Sequence, residues 1–154
     1  MVSIRNVAFR HVIYTVLVAV LLIINLKINK MNKKLAKITS AKLEIKERGI
    51  LNFWIFVEYE EGGGQGIGGL ALDEWDKDKK KRVGTAYGCE MIRCLLETLS
   101  VNDFSEMKDK MIWVHGEGDG LRFAPKGIAP LKVSGENKEP LIFEDVFNEF
   151  GNCN

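Results

Sequence analysis

The chain is poor in the residues from which enzymes and metal centres are usually assembled. Its three cysteines, Cys89, Cys94 and Cys153, are odd in number and show no CxxC spacing, so neither a disulfide framework nor a zinc knuckle is signalled and a reducing compartment fits. Beyond residue 30 there is a single histidine, His115, too few for a recognisable metal set. It stands at the end of a strand-like stretch, before Gly116, and reads as a surface or loop-satisfied residue. Cys89 and Cys94 lie five apart on a helix-like segment, about 140° around its axis, and both read as core thiols. Asp73, Glu74, Asp76 and Asp78 match no calcium loop closed by a bidentate glutamate. No nucleophile is paired with a base, so an enzyme is not expected, and no metal or cofactor is called for.

Basic charge is also scarce where nucleic acid would need it. All 21 acidic residues fall at or after Glu44, whereas four of the 22 basic ones precede Met31; from there on, 18 basic residues face 21 acidic ones, a balance of −3. A protein that holds duplex nucleic acid by neutralising phosphates carries a basic footprint, and none is expected as a partner here. The run Lys77, Lys79, Lys80, Lys81, Arg82 is interleaved with Asp76 and Asp78 and reads as a solvated loop.

No uncharged stretch reaches the roughly 20 residues of a comfortable membrane span. The longest, HVIYTVLVAVLLIINL at 11–26, has 16. Residues 1–30 are thus an apolar N-terminal segment, either a marginal membrane anchor at 12–28 or the product of an over-extended reading frame whose true start is Met31. A signal peptide is disfavoured by the lack of a small-x-small cleavage site before Lys27. Were the segment to span, the lysines after it would hold its C-terminal side in the cytoplasm. Either way residues 31–154 are expected to be one cytoplasmic domain, membrane-anchored only if the segment is a real anchor.

What is present is alternation and helical periodicity. The expected fold is α+β: a small, mostly antiparallel sheet with one long helix and one or two short ones. AKLEIK (41–46) alternates, with Ala41, Leu43 and Ile45 on one face, and predicts a half-exposed strand. ILNFWIFVEYE (50–60) puts Phe53, Ile55, Val57 and Tyr59 on one face and Trp54 and Phe56 on the other, predicting a central strand paired with its predecessor. A glycine cluster, Gly62 to Gly69, then interrupts the chain before a short strand at Leu70–Leu72 and a charged loop from Asp73 to Arg82. Tyr87, Met91, Cys94, Leu95 and Leu99 recur at helical spacing and predict a helix from Thr85 to Leu99. A short helix is expected from Asn102 or Asp103 to Lys108, strands at Met111–Val114 and Leu121–Phe123, and a last helix over Phe143–Phe150 that Gly151 stops.

The glycine cluster GGGQGIGG is the unusual motif. Gly64, Gly66 and Gly69 satisfy G-x-G-x-x-G, but a dinucleotide fingerprint needs a helix opening at the third glycine and LALD looks like a strand. The absence of GK[ST] removes the P-loop. Two readings stay open: a turn or bulge linking two antiparallel strands, or an anion-binding nest of glycine amides to which Gln65 adds a side-chain amide.

GQGIGGLALD, then RVGTAYGCEMIRCLLE, then SEMKDKMIWV resemble a family of small proteins encoded by phages and prophages. The resemblance runs from about Ile38 to Ile128. The chain departs from the pattern in Ile67, where an aromatic is expected, in its longer tail after Ile128, and in the apolar N-terminal segment. It is similar to the phage Thoeris anti-defence proteins, sponges that bind the cyclic ADP-ribose signals made by bacterial TIR proteins. The resemblance implies a non-catalytic homo-oligomer in the bacterial cytoplasm whose partner is a small cyclic nucleotide, with ligand sites near subunit contacts.

Such a ligand needs anion donors, an aromatic face and acceptors for ribose hydroxyls. The chain offers Gly62, Gly64, Gln65, Gly66, Gly68 and Gly69 with Arg82, Arg93 and Arg122 for phosphate. Tyr87 and Phe123 are the first choices for stacking, with Trp75 and Trp113 behind them, and Asp73 and Glu90 suit ribose. The alternative of a different class is a non-catalytic module that inhibits a host protein by surface contact, for which the doubly apolar strand at 50–60 is equally suited.

Overall fold

The structure, a computed structural model, describes residues 31–131 and 139–151. The N-terminal segment and Cys153, with the expectations placed on them, lie outside the described residues. Among those described, no helix is long and apolar enough to cross a membrane. The fold is α+β.

Six strands form one antiparallel sheet in the order β3-β2-β1-β6-β7-β8, comprising β1 (Asn32–Ile45), β2 (Leu51–Tyr59), β3 (Gly64–Ala71), β6 (Met111–Glu117), β7 (Ala124–Pro130) and β8 (Leu141–Ile142). A separate hairpin pairs β4 (Asp73–Asp76) with β5 (Lys81–Gly84). Helix α1 (Ala86–Leu99) and helix α2 (Phe143–Phe150) complete the fold, with 3-10 turns at Phe104–Met107 and Gly120–Arg122.

The periodic segments form as their patterns dictate. In α1 the buried residues are Tyr87, Gly88, Met91, Leu95 and Leu99, and Thr85 caps the first turn, its hydroxyl accepting from Gly88 N at 2.9 Å. These side chains meet Ile38, Phe53, Ile55, Val57, Ile112, Val114 and Ile128 of the sheet in one core. Asp103 caps the 3-10 turn, and Gly151 ends α2 as expected.

Several expectations need correction. The first strand begins at Asn32, nine residues before the alternating stretch, and a bulge between Ile38 and Ser40 resets its phase. Ala36 and Ile38 are its buried members, whereas Leu43 and Ile45 are exposed. The glycine cluster does not interrupt the chain, since Gly64 onward is strand β3. The charged segment Asp73 to Arg82 is the β4–β5 hairpin and not a loop. Leu121–Phe123 is turn, and the strand starts at Ala124. His115 lies inside β6, opposite Lys33 and Gly127, where burial and the Lys33 charge lower its pKa. Cys89 is exposed; Cys94 is half-buried beside Glu90.

The composition of β3 follows from what lies on it. A Cβ on Gly69 would stand 2.5 Å from the Trp54 ring, and one on Gly68 would stand 2.5 Å from the Phe53 carbonyl oxygen; both glycines have positive φ. A side chain would also press Gly66 against Trp54 and Phe56. Trp54 and Phe56 stack on each other, centroids 6.0 Å apart. This aromatic pair on the sheet's second face thus uses the glycine strand as its floor, while Lys46 lies 4.8 Å over the Trp54 ring.

Candidate functional site

The sheet curls so far that its first edge strand approaches its fifth. Gln65 on β3 donates from Nε2 to the Phe123 carbonyl just before β7, at 3.4 Å, and accepts from the Tyr59 hydroxyl at 2.9 Å. Beyond this contact the two strands part, leaving a cavity of about 380 Å³ lined by Gly66, Ile67, Gly68 and Leu70 from β3, Tyr87 from α1, Pro125 and Lys126 from β7, and Phe143, Glu144 and Phe147 from α2. The volume lies in the range of small-molecule sites, roughly 300 to 1,000 Å³. One wall is backbone, because β3 is an edge strand whose outer amides and carbonyls pair with no neighbouring strand among the described residues. The opposite walls are aromatic. Tyr87 packs edge-on against Phe147 at 5.4 Å. Tyr87 lines the cavity with only 6% of its surface exposed, and its hydroxyl has no hydrogen-bond partner among the described residues. Burial raises its pKa and keeps it a protonated donor at neutral pH.

Of the residues singled out in the sequence, the cavity gathers Gly66, Gly68 and Tyr87. Gly64, Gln65 and Gly66 border a second, shallower cleft with Phe56 and Glu58, Gly62 sits in the preceding turn, and Gly69 lies under Trp54. The others are engaged elsewhere. Asp73 and Arg82 meet diagonally across the β4–β5 hairpin in a two-pronged pair of 2.9 and 2.8 Å, and Asp73 also accepts from Leu51 N at 3.1 Å. Arg82, followed by the Leu51 amide, holds the Asp73 carboxyl below the usual carboxylate range despite burial. Arg93 is tied to Glu90 and Glu97 on the exposed side of α1, which pushes its pKa further up. Arg122 is exposed in the turn before β7 and makes no ion pair among the described residues. Phe123 is buried, edge-on to Tyr59, with the Lys34 ammonium 5.3 Å over its ring. Among the described residues no group of three or more histidine, cysteine, aspartate and glutamate side chains is placed to hold a metal ion.

Sequence reasoning missed Ile67, Leu70, Pro125, Lys126, Phe143, Glu144 and Phe147. Phe143 and Phe147 were legible as a helix face, but a lone lysine in APKG carries no local signal, and only the curl of the sheet brings it to β3.

Comparison with family models, with curated proteins and with solved structures finds no match to this chain. Function has to be argued from geometry.

Proposed function

We propose that the chain is a non-catalytic binding protein that takes up a cyclic ADP-ribose-type nucleotide and withholds it, unchanged, from its receptor, as a phage anti-defence sponge in the cytoplasm of the bacterial host. The observation that carries this reading is the cavity between β3 and α2, lined by backbone of the edge strand and by Tyr87, whose hydroxyl has no hydrogen-bond partner among the described residues. Gly66 and Gly68 contribute main-chain groups to its wall, Tyr87 offers a hydroxyl, and Phe143 and Phe147 offer apolar surface for a base. These groups donate, accept and stack; binding is the chemistry they support.

Self-association belongs to the same reading. Trp54, Phe56 and Trp113 lie on the face of the sheet turned away from both helices and are only partly covered, so a second copy is the proposed cover. A monomer mass by light scattering over a wide concentration range would remove this part.

The test is calorimetry of the purified chain with cyclic ADP-ribose isomers, followed by chromatography of the recovered ligand. Binding tighter than about 10 μM, worth about 7 kcal/mol, with the ligand returned intact is expected. Cleaved ligand would make the protein an enzyme. If no isomer binds, the interaction module takes over, favoured by one feature: β3 is an eight-residue edge strand without proline or charge to guard it, a template for strand addition by a host protein.

A further inference from the structure

We infer that Lys126 and Glu144 divide the mouth of the cavity, the ammonium taking an anionic group of the ligand and the carboxylate taking its hydroxyls, so that the site selects a phosphorylated sugar over a neutral nucleoside. This rests on the reading that the cavity is the ligand site. Most of the charged residues first considered for the ligand are already spent on each other, Asp73 on Arg82 and Glu90 on Arg93, which Glu97 also holds. The two at this mouth are not. Lys126 has only a loose contact with Glu117, at 3.9 Å between side chains that are 40% and 68% exposed, and Glu144 makes no ion pair among the described residues. Both line the same cavity as Tyr87, whose hydroxyl is also without a partner among the described residues. A lysine offers three donors and a full positive charge, which fits a phosphate; an ionised carboxylate only accepts, which fits the vicinal hydroxyls of a ribose. The cavity therefore asks for a ligand that combines an anion, hydroxyl donors and a flat apolar part against Tyr87 and Phe147. A nucleoside without phosphate would leave Lys126 unmatched.

Calorimetry on the full chain, with cyclic ADP-ribose as charged probe and adenosine as neutral one, tests this. Lys126→Gln is expected to weaken the charged probe roughly ten- to a hundredfold, since charge-assisted hydrogen bonds fall in that range, and to reduce the salt dependence of binding, while adenosine binding hardly changes. Lys126→Arg should retain most of the affinity. Glu144→Gln should weaken both probes by a smaller factor, roughly three- to tenfold, consistent with an exposed acceptor. An unchanged melting temperature in each variant confirms that the fold is intact. The inference is overturned if Lys126→Gln binds the charged probe like wild type with the same salt dependence. A wild-type chain that binds cyclic ADP-ribose in no isomeric form removes the functional reading and this inference with it, whereas a wild type that binds but ignores Lys126 removes the inference alone.

Discussion

Replacing Gly88 by alanine is expected to destabilise the domain by about 3 kcal/mol or more, enough to lower its melting temperature by some ten degrees. Helix propensity argues the other way, because alanine in place of glycine within a helix gains up to about 1 kcal/mol. The contact decides. A Cβ on Gly88 would stand 1.9 Å from the Leu72 carbonyl oxygen and 2.7 Å from its carbon, far inside van der Waals distance, and the obstacle is backbone that cannot rotate away. That same carbonyl accepts from Thr85 N and from the Thr85 hydroxyl, so pushing it aside also disturbs the cap of α1 and, through it, the placement of Tyr87. Gly84→Ala is the control: nothing lies within 4 Å of its added Cβ, and its melting temperature should change little. Thermal denaturation of the two variants side by side checks this; equal midpoints would show that α1 does not sit against the β3–β4 junction.

Asp73→Ala is expected to cost roughly 1 to 3 kcal/mol, the range for leaving the hydrogen-bonding partners of a removed group unsatisfied. The Asp73 side chain is 8% exposed and Arg82 21%. The substitution leaves the Arg82 guanidinium and the Leu51 amide without their acceptor. The pH dependence has a definite sign. Because the folded-state pKa of Asp73 is held below its ordinary 3.8, its contribution is fully present above that value and is lost as the pH falls through the lower, folded-state pKa. Wild type should therefore lose stability more steeply than Asp73→Ala as pH falls below about 4. Urea titrations from pH 7 to pH 2.5 measure this, and parallel curves for the two proteins would contradict it.

The sequence made α1 legible because its apolar residues repeat with the helical period and Thr85 precedes them. It made β2 legible because a strand flanked on both sides alternates between two apolar sets. The N-terminal half of β1 was not legible: NKKLAK reads as polar, and the bulge near Thr39 shifts the phase so that only Ala36 and Ile38 enter the core. The glycines of β3 invited a phosphate-nest reading, yet the contacts that explain Gly68 and Gly69 come from Phe53 and Trp54 on the neighbouring strand, in a register that no local pattern encodes. Asp73 and Arg82 stood in a charged run that reads as a solvated loop, and pairing across a hairpin is what turned them into a structural clamp. The cavity was the least legible feature, since it exists only where β3, β7 and both helices converge.

The most direct measurement of the central claim is a titration of isotope-labelled protein with cyclic ADP-ribose isomers, followed by amide shifts in solution NMR. The account predicts saturable shifts concentrated at Gly66, Gly68, Tyr87, Lys126 and Glu144, with the hairpin of Asp73 and Arg82 and the exposed face of Arg93 undisturbed. Saturable shifts centred on Arg93 or the β4–β5 hairpin, with the cavity silent, would contradict it.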